Sequence, residues 1–225
     1  NISCRFSIQF SMSALQSDLD DAISAPFEPT GKTSIRKLEL IKSTEIFKNC
    51  TNIVLGKGNE QANILFVGEA PGRKEDEQGL PFVGAAGKNL DNLLKQVGLS
   101  LDDIYITNIL KCRPPENRDP QPEEIKKHTP YLLKQIREMK PKVVCSLGNY
   151  STKFFLALGN IENMKLQPGI TQVHGKPQLI QIEDQQIKLI PLFHPAAIIY
   201  NRNLITEWEK DMGIVKNEIS QKTLM

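Results

Sequence analysis

The sequence has no apolar run approaching the roughly eighteen consecutive residues that a membrane-spanning helix needs, which excludes such a helix. It also lacks a charge excess. With 28 basic and 26 acidic side chains the net charge is +2, so neither a broadly cationic nucleic-acid binder nor an acidic tail is indicated, and any charged surface must be local. Cysteine is sparse: Cys4, Cys50, Cys112 and Cys145 are too scattered along 225 residues for a disulfide framework and predict reduced thiols in a reducing, intracellular compartment. Residues 1–12 carry no long apolar segment and no small-residue cleavage pattern, so no secretory signal is read there. Also missing are a Gly-Lys-Ser/Thr phosphate loop, the dinucleotide-binding glycine spacing and any internal repeat, which removes the common nucleotide-binding and solenoid classes.

What is present is the composition of an ordinary globular protein, 40% apolar and 24% charged, with enough chain for one core. Residues 1–32 are Ser-rich and end in Pro26, Pro29 and Gly31, which reads as a loosely ordered arm. Apolar residues recur at helical spacing over 34–49, predicting an amphipathic helix whose apolar face caps the core. The main domain is expected over 33–216, followed by a tail at 217–225.

Continuous apolar runs at 64–67, 104–109, 143–147 and 187–193 have the pattern of strands buried on both faces. Helical patterns lie between them over 85–97, 122–139 and 149–158, each stopped by Gly or Pro, and a closing helix is expected over 205–214 around Trp208. Val173 and 179–182 suggest a small hairpin leading into the last strand. Strands alternating with helices predict an α/β fold, a mostly parallel sheet covered on both faces.

In an open parallel sheet, ligands bind where the chain leaves the carboxyl ends of the strands. Three unusual loops fall on that edge. The first is Gly68-Glu69-Ala70-Pro71-Gly72, whose Gly and Pro suit a sharp turn that exposes backbone amides. The second follows Asn108, whose carboxamide offers a donor and an acceptor that match the adjacent carbonyl and N–H of a pyrimidine such as uracil. Cytosine mismatches that edge, at a cost of about 1–3 kcal/mol for the group left unpaired. The third begins at His194, whose imidazole can donate to a carbonyl oxygen that gains charge as a bond breaks. Phe82, in Gly79-Leu80-Pro81-Phe82, offers a face for a base taken out of a stack. Taken singly, these are also a plain turn, a turn-forming Asn, a surface His and a core Phe; their order and their common edge favour the site.

The segments VGEAPGRKEDEQGLPFVGAAG, YITNILKCRPPENRDPQPEE and FHPAA resemble, in order and spacing, the signature segments of the family 4 uracil-DNA glycosylases, and the similarity runs from about Cys50 to Asp211. The resemblance implies a three-layer α/β/α sandwich around a four-stranded parallel sheet. It implies hydrolysis of the bond between uracil and deoxyribose in DNA, leaving an abasic site, and the lack of a suitably placed Lys or Cys nucleophile predicts a monofunctional enzyme. It places Glu69 and Ala70 beside the sugar and uracil, with the loop residues Gly68, Pro71 and Gly72 lining the base and loop amides pairing to it. Phe82 would stack on it, Asn108 would read its polar edge, and His194 would bond its O2. Ala70 stands where a better-known branch has a water-activating Asp, so Glu69 and Glu75 are both candidates to orient the water or stabilise the cationic sugar. Glu75 also reads as part of a solvated charged run, 73–77. Ile198 is the candidate wedge into the gap left by the flipped nucleotide. Lys111, Arg113, Arg118 and Arg202 are candidate phosphate contacts, each equally an ordinary exposed cation. Uracil-containing DNA is the implied partner of a monomer that engages no membrane, in the cytoplasm or another DNA-containing reducing compartment.

The family also implies a [4Fe-4S] cluster on four cysteines. Cys112 fits the third position, but Ile41 and Thr44 stand where the first pair belongs and His128 stands at the fourth. One thiolate in four does not hold such a cluster, so the cluster is expected to be absent or degenerate, with Cys50 and Cys4 as unfamiliar substitutes and Cys145 an inert buried thiol. A second reading follows from this erosion: a protein that binds uracil-containing or abasic DNA with weak or no turnover. A third is a glycosylase for other deaminated bases.

Overall fold

The computed structural model describes residues 50–220, with side chains through Glu218. The arm at 1–32, the helix pattern at 34–49, Cys4, Ile41, Thr44 and residues 221–225 lie outside the described residues. In chain order the elements are β1 (Lys57–Gly58), β2 (Ile64–Gly68), α1 (Arg73–Gln78), α2 (Ala85–Gln96), β3 (Ile104–Asn108), α3 (Pro122–Met139), β4 (Val143–Leu147), α4 (Gly148–Leu156), α5 (Ile161–Met164), α6 (Ile170–Val173), β5 (Gln178–Ile182), β6 (Gln185–Leu192), α7 (Ala197–Tyr200) and α8 (Leu204–Ser220).

The four expected strands are the parallel centre of a six-stranded sheet in the order β1-β3-β2-β4-β6-β5. The count of four is therefore corrected: β1 and β5 add antiparallel edges. β1 is two residues long and leaves no periodic signal. The hairpin of β5 with β6 turns at Glu183, which has φ 52°, while Val173 belongs to α6 and not to that hairpin.

Burial on both faces explains the unbroken apolar runs. Ile64, Phe66, Ile104, Ile106, Val143, Cys145 and Leu147 face one layer with Leu90, Leu93 and Leu94 of α2 and Trp208, Met212 and Val215 of α8. Leu65, Val67, Tyr105 and Val144 face the other, with Ile125, Leu132 and Ile136 of α3 and Phe154 and Phe155 of α4. The layers are thus α/β/α. Helix α3 shows why the sequence marked it so well. Pro122 opens it, Gln121 and Glu124 form a reciprocal capping box, and Lys140 stops it with φ 50° just before Pro141.

Two expectations change here. The charged run 73–77 is not a solvated loop: it lies in α1, and buried Asp76 accepts the backbone N–H groups of Thr51 and Asn52. The cysteines are not all reduced thiols, because Cys50 and Cys112 form a disulfide with Cα atoms 5.5 Å apart, beside the hydrogen bond from Val54 N–H to Lys111 O. A separation of 62 residues carries no hint of that meeting. Cys145 is a free buried thiol, with burial pushing its pKa up.

Candidate active site

Parallel pairing sets Gly68 at the end of β2 directly beside Asn108 at the end of β3. The loops beyond stay together, since Ile109 N–H donates to Gly68 O and Leu110 N–H to Glu69 O, both at 3.0 Å. Gly68 is where both side chains pack most closely on the strand: a Cβ there would lie 2.3 Å from Asn108 Oδ1 and 2.7 Å from Phe82 Cζ, so only glycine leaves them room. Asn108 is only 2% exposed, and its Oδ1 is buried without a hydrogen-bond partner. A buried acceptor left unpaired costs about 1–3 kcal/mol, so this oxygen is one that a donor would stabilise.

The ring of Phe82 lies 5.8 Å from that of His194, and Phe82 and Asn108 meet at Gly68, so Phe82 neighbours both of the other candidates. Phe82 is buried in the core cluster, and its φ of 52° is a strained value for a non-glycine residue. His194 packs on Gly148, which has φ 87° and whose missing Cβ would meet the His194 Cβ at 2.9 Å. Ala196 N–H donates to His194 Nδ1 at 3.2 Å. Burial pulls the His194 pKa down to about 4, with the Glu75 carboxylate opposing the shift. The imidazole is therefore neutral at pH 7, and because Nδ1 accepts, Nε2 carries the proton.

The two acidic candidates separate clearly. Glu75 Oε1 accepts the N–H groups of Val83 and Gly84, both at 2.9 Å, so this carboxylate holds the turn after Phe82. Glu69 has no hydrogen bond to its carboxylate among the described residues, and burial, with Asp119 nearby, raises its pKa to about 7. Ala70 and Gly72 are half-buried and Pro71 is buried on the same loop.

Residues 55–213 match the family model of the uracil DNA glycosylase superfamily. The chain belongs to that superfamily. It is 44% identical over 177 residues to a type-4 uracil-DNA glycosylase of Archaeoglobus fulgidus, covering 79% of this chain and 87% of the relative. A type-4 uracil-DNA glycosylase of Sulfurisphaera tokodaii is 45% identical over 177 residues, covering 78% of each chain, and one of Saccharolobus solfataricus is 42% identical over 191 residues, covering 84% and 85%.

Within this superfamily member the candidate DNA contacts fare unevenly. Lys111 is not a surface cation. It is 0% exposed, and its Nζ donates to Thr107 Oγ1, Asn108 O and Gln135 Oε1, each at 2.7 Å. Burial pulls its pKa well down, while three acceptors call for all three ammonium protons. Its place is under the Asn108 peptide, not against phosphate. Ile198 is corrected as well: at 8% exposure it packs into the core, whereas Ile199 (49%) and Tyr200 (86%) of α7 are exposed. Arg113 is half-buried and donates to Asn117 Oδ1, Arg118 makes a bidentate pair with Glu124, and Arg202 is exposed. The reading from sequence missed Gly148, Gln135 and Lys57, whose roles depend on contacts between distant segments.

The described residues do not supply four thiolates for a cluster. The sulfur of Cys112 is engaged with Cys50, and His128 Nδ1 accepts the Lys111 N–H at 3.3 Å, with burial pulling its pKa down to about 4. Among the described residues no group of three or more His, Cys, Asp or Glu side chains is disposed to hold a metal ion.

Proposed function

We propose that this chain removes uracil from DNA by hydrolysing its N-glycosidic bond, leaving an abasic site. The observation that carries the reading is the buried, unpaired Asn108 Oδ1, which packs with the Phe82 ring against Gly68. Uracil set against that carboxamide presents an N3–H to the orphan oxygen and a carbonyl to the amide nitrogen. Cytosine has no proton at N3 and would leave the oxygen unpaired. The ring of Phe82 replaces the neighbours that the extruded base has lost.

Chemistry then rests on the leaving group. As the bond from C1′ to N1 breaks, negative charge gathers on O2, where the Nε2–H of neutral His194 donates to it in a site sheltered from water. A neutral donor suits the task, since it is fixed in place before charge appears. Water attacks C1′, and its proton passes to Glu69, the acidic side chain with no structural commitment. Glu75 acts at one remove by shaping the Phe82 turn. Arg113, Arg118 and Arg202 contact phosphates, and the exposed Ile199 and Tyr200 supply the apolar surface that meets the duplex. The chain works as a monomer without an iron–sulfur cluster, in an intracellular compartment that holds DNA. Iron content close to four per chain would contradict the cluster-free part.

Uracil release from an oligonucleotide with one uracil tests the reading, together with Asn108→Ala and His194→Ala. Each variant is expected to lose at least a hundredfold in rate while staying folded. Near wild-type rates in both would overturn the assignment. Tight binding of that oligonucleotide without release would instead favour a binding protein, and release of hypoxanthine or xanthine would widen the substrate class.

A further inference from the structure

The turn that presents Phe82 is held from both sides by groups of opposite charge. Phe82 takes φ 52°, a backbone state that a side-chain-bearing residue adopts only when its surroundings impose it. On its carbonyl side, Lys57 Nζ donates to Phe82 O at 3.0 Å. On the following amides, Glu75 Oε1 accepts from Val83 and Gly84, both at 2.9 Å. Gly87 makes room for the arrangement, because a Cβ there would fall 1.9 Å from Phe82 O. Lys57 comes from a different part of the chain: it lies on edge strand β1, paired to Ile106 of β3, two residues before the β3 Asn108.

We propose that Lys57 is a positioning residue for Phe82, fixing the left-handed turn so that the ring stays against Gly68, beside the Asn108 carboxamide. The inference rests on the reading in which Phe82 stacks on the extruded base. Without the ammonium, the Phe82 carbonyl loses its charged donor, the turn relaxes toward ordinary backbone angles, and the ring swings away from Gly68 and Asn108. Glu75 alone then holds one end of the turn. The effect falls on base binding and orientation, not on the Glu69 or His194 chemistry.

The test is a double-mutant cycle on the full chain with Lys57→Met, Phe82→Ala and the double variant, plus Lys57→Arg. The readouts are kcat and KM for uracil release from a uracil-containing oligonucleotide, and hydrogen exchange at the Val83 and Gly84 amides. Lys57→Met is expected to raise KM or lower kcat/KM about tenfold and to speed exchange at both amides, and Lys57→Arg is expected to restore most of the loss. In the Phe82→Ala background the Lys57→Met loss should vanish, because no ring remains to position. An equal loss in both backgrounds, or unchanged exchange in Lys57→Met, overturns the proposal. A wild-type chain that releases no uracil would sink the functional reading, while the exchange measurement still decides whether Lys57 holds the turn.

Discussion

Gly68→Ala probes the base site with a single methyl group. The backbone tolerates alanine at this position, since no positive φ is required there. The new Cβ would sit 2.3 Å from Asn108 Oδ1 and 2.7 Å from Phe82 Cζ, against an ordinary contact of 3.4 Å or more. Restoring contact distance moves the Asn108 oxygen or the Phe82 ring by about 1 Å, enough to stretch a hydrogen bond out of range. A lost bond to a buried group costs about 1–3 kcal/mol, which at about 1.4 kcal/mol per tenfold is roughly 5- to 150-fold in kcat/KM. A displacement of about 1 Å at a reacting geometry predicts a loss of similar size, on the order of a hundredfold. Steady-state uracil release, measured well below the melting temperature, reads the effect. Circular dichroism checks that overpacking, worth about 1–3 kcal/mol, leaves the protein folded. Gly213→Ala is the control, because a Cβ there meets nothing within 4 Å. Gly68→Ala activity within twofold of wild type would refute the placement of the base.

Glu69 has its pKa raised to about 7, so if its ionised form takes the proton of water, kcat/KM rises with pH through about 7 and then levels. Glu69→Gln should lower the rate and flatten that limb; an unchanged profile would remove Glu69 from the chemistry. The Cys50–Cys112 bond closes a loop of 62 residues, about 4 kcal/mol in a chain-entropy account, so Cys50→Ser should lower the melting temperature by on the order of 10 °C without reductant. Reductant should bring the wild type down to the variant, and equal melting temperatures in its absence would contradict the link. Tyr200→Ala should slow release from duplex DNA severalfold more than from single strands, because a wedge matters only where a stack must be filled. Equal effects on both substrates would assign Tyr200 another role.

The parallel centre of the sheet was legible because burial on both faces leaves unbroken runs such as Ile64-Leu65-Phe66-Val67. The edges were not: β1 is two residues long, and β5 has its own partner on only one side. Asn108, Phe82 and His194 were readable as site candidates because they fall at strand ends and in the loops beyond them. Charged residues misled. Lys111 looks like a surface cation until Thr107 and Gln135, from β3 and α3, close over its ammonium, and Glu75 looks solvated until the backbone of Val83 and Gly84 turns toward it. Likewise Ile198, Ile199 and Tyr200 share one short helix, and only packing decides that Ile198 faces the core.

The most direct measurement is uracil release by the purified chain from a duplex with a single uracil opposite guanine, alongside the same duplex with cytosine in that position. The account predicts free uracil and an abasic site from the first duplex and nothing from the second. Intact uracil-containing DNA after incubation with folded protein, or equal attack on cytosine, would contradict it.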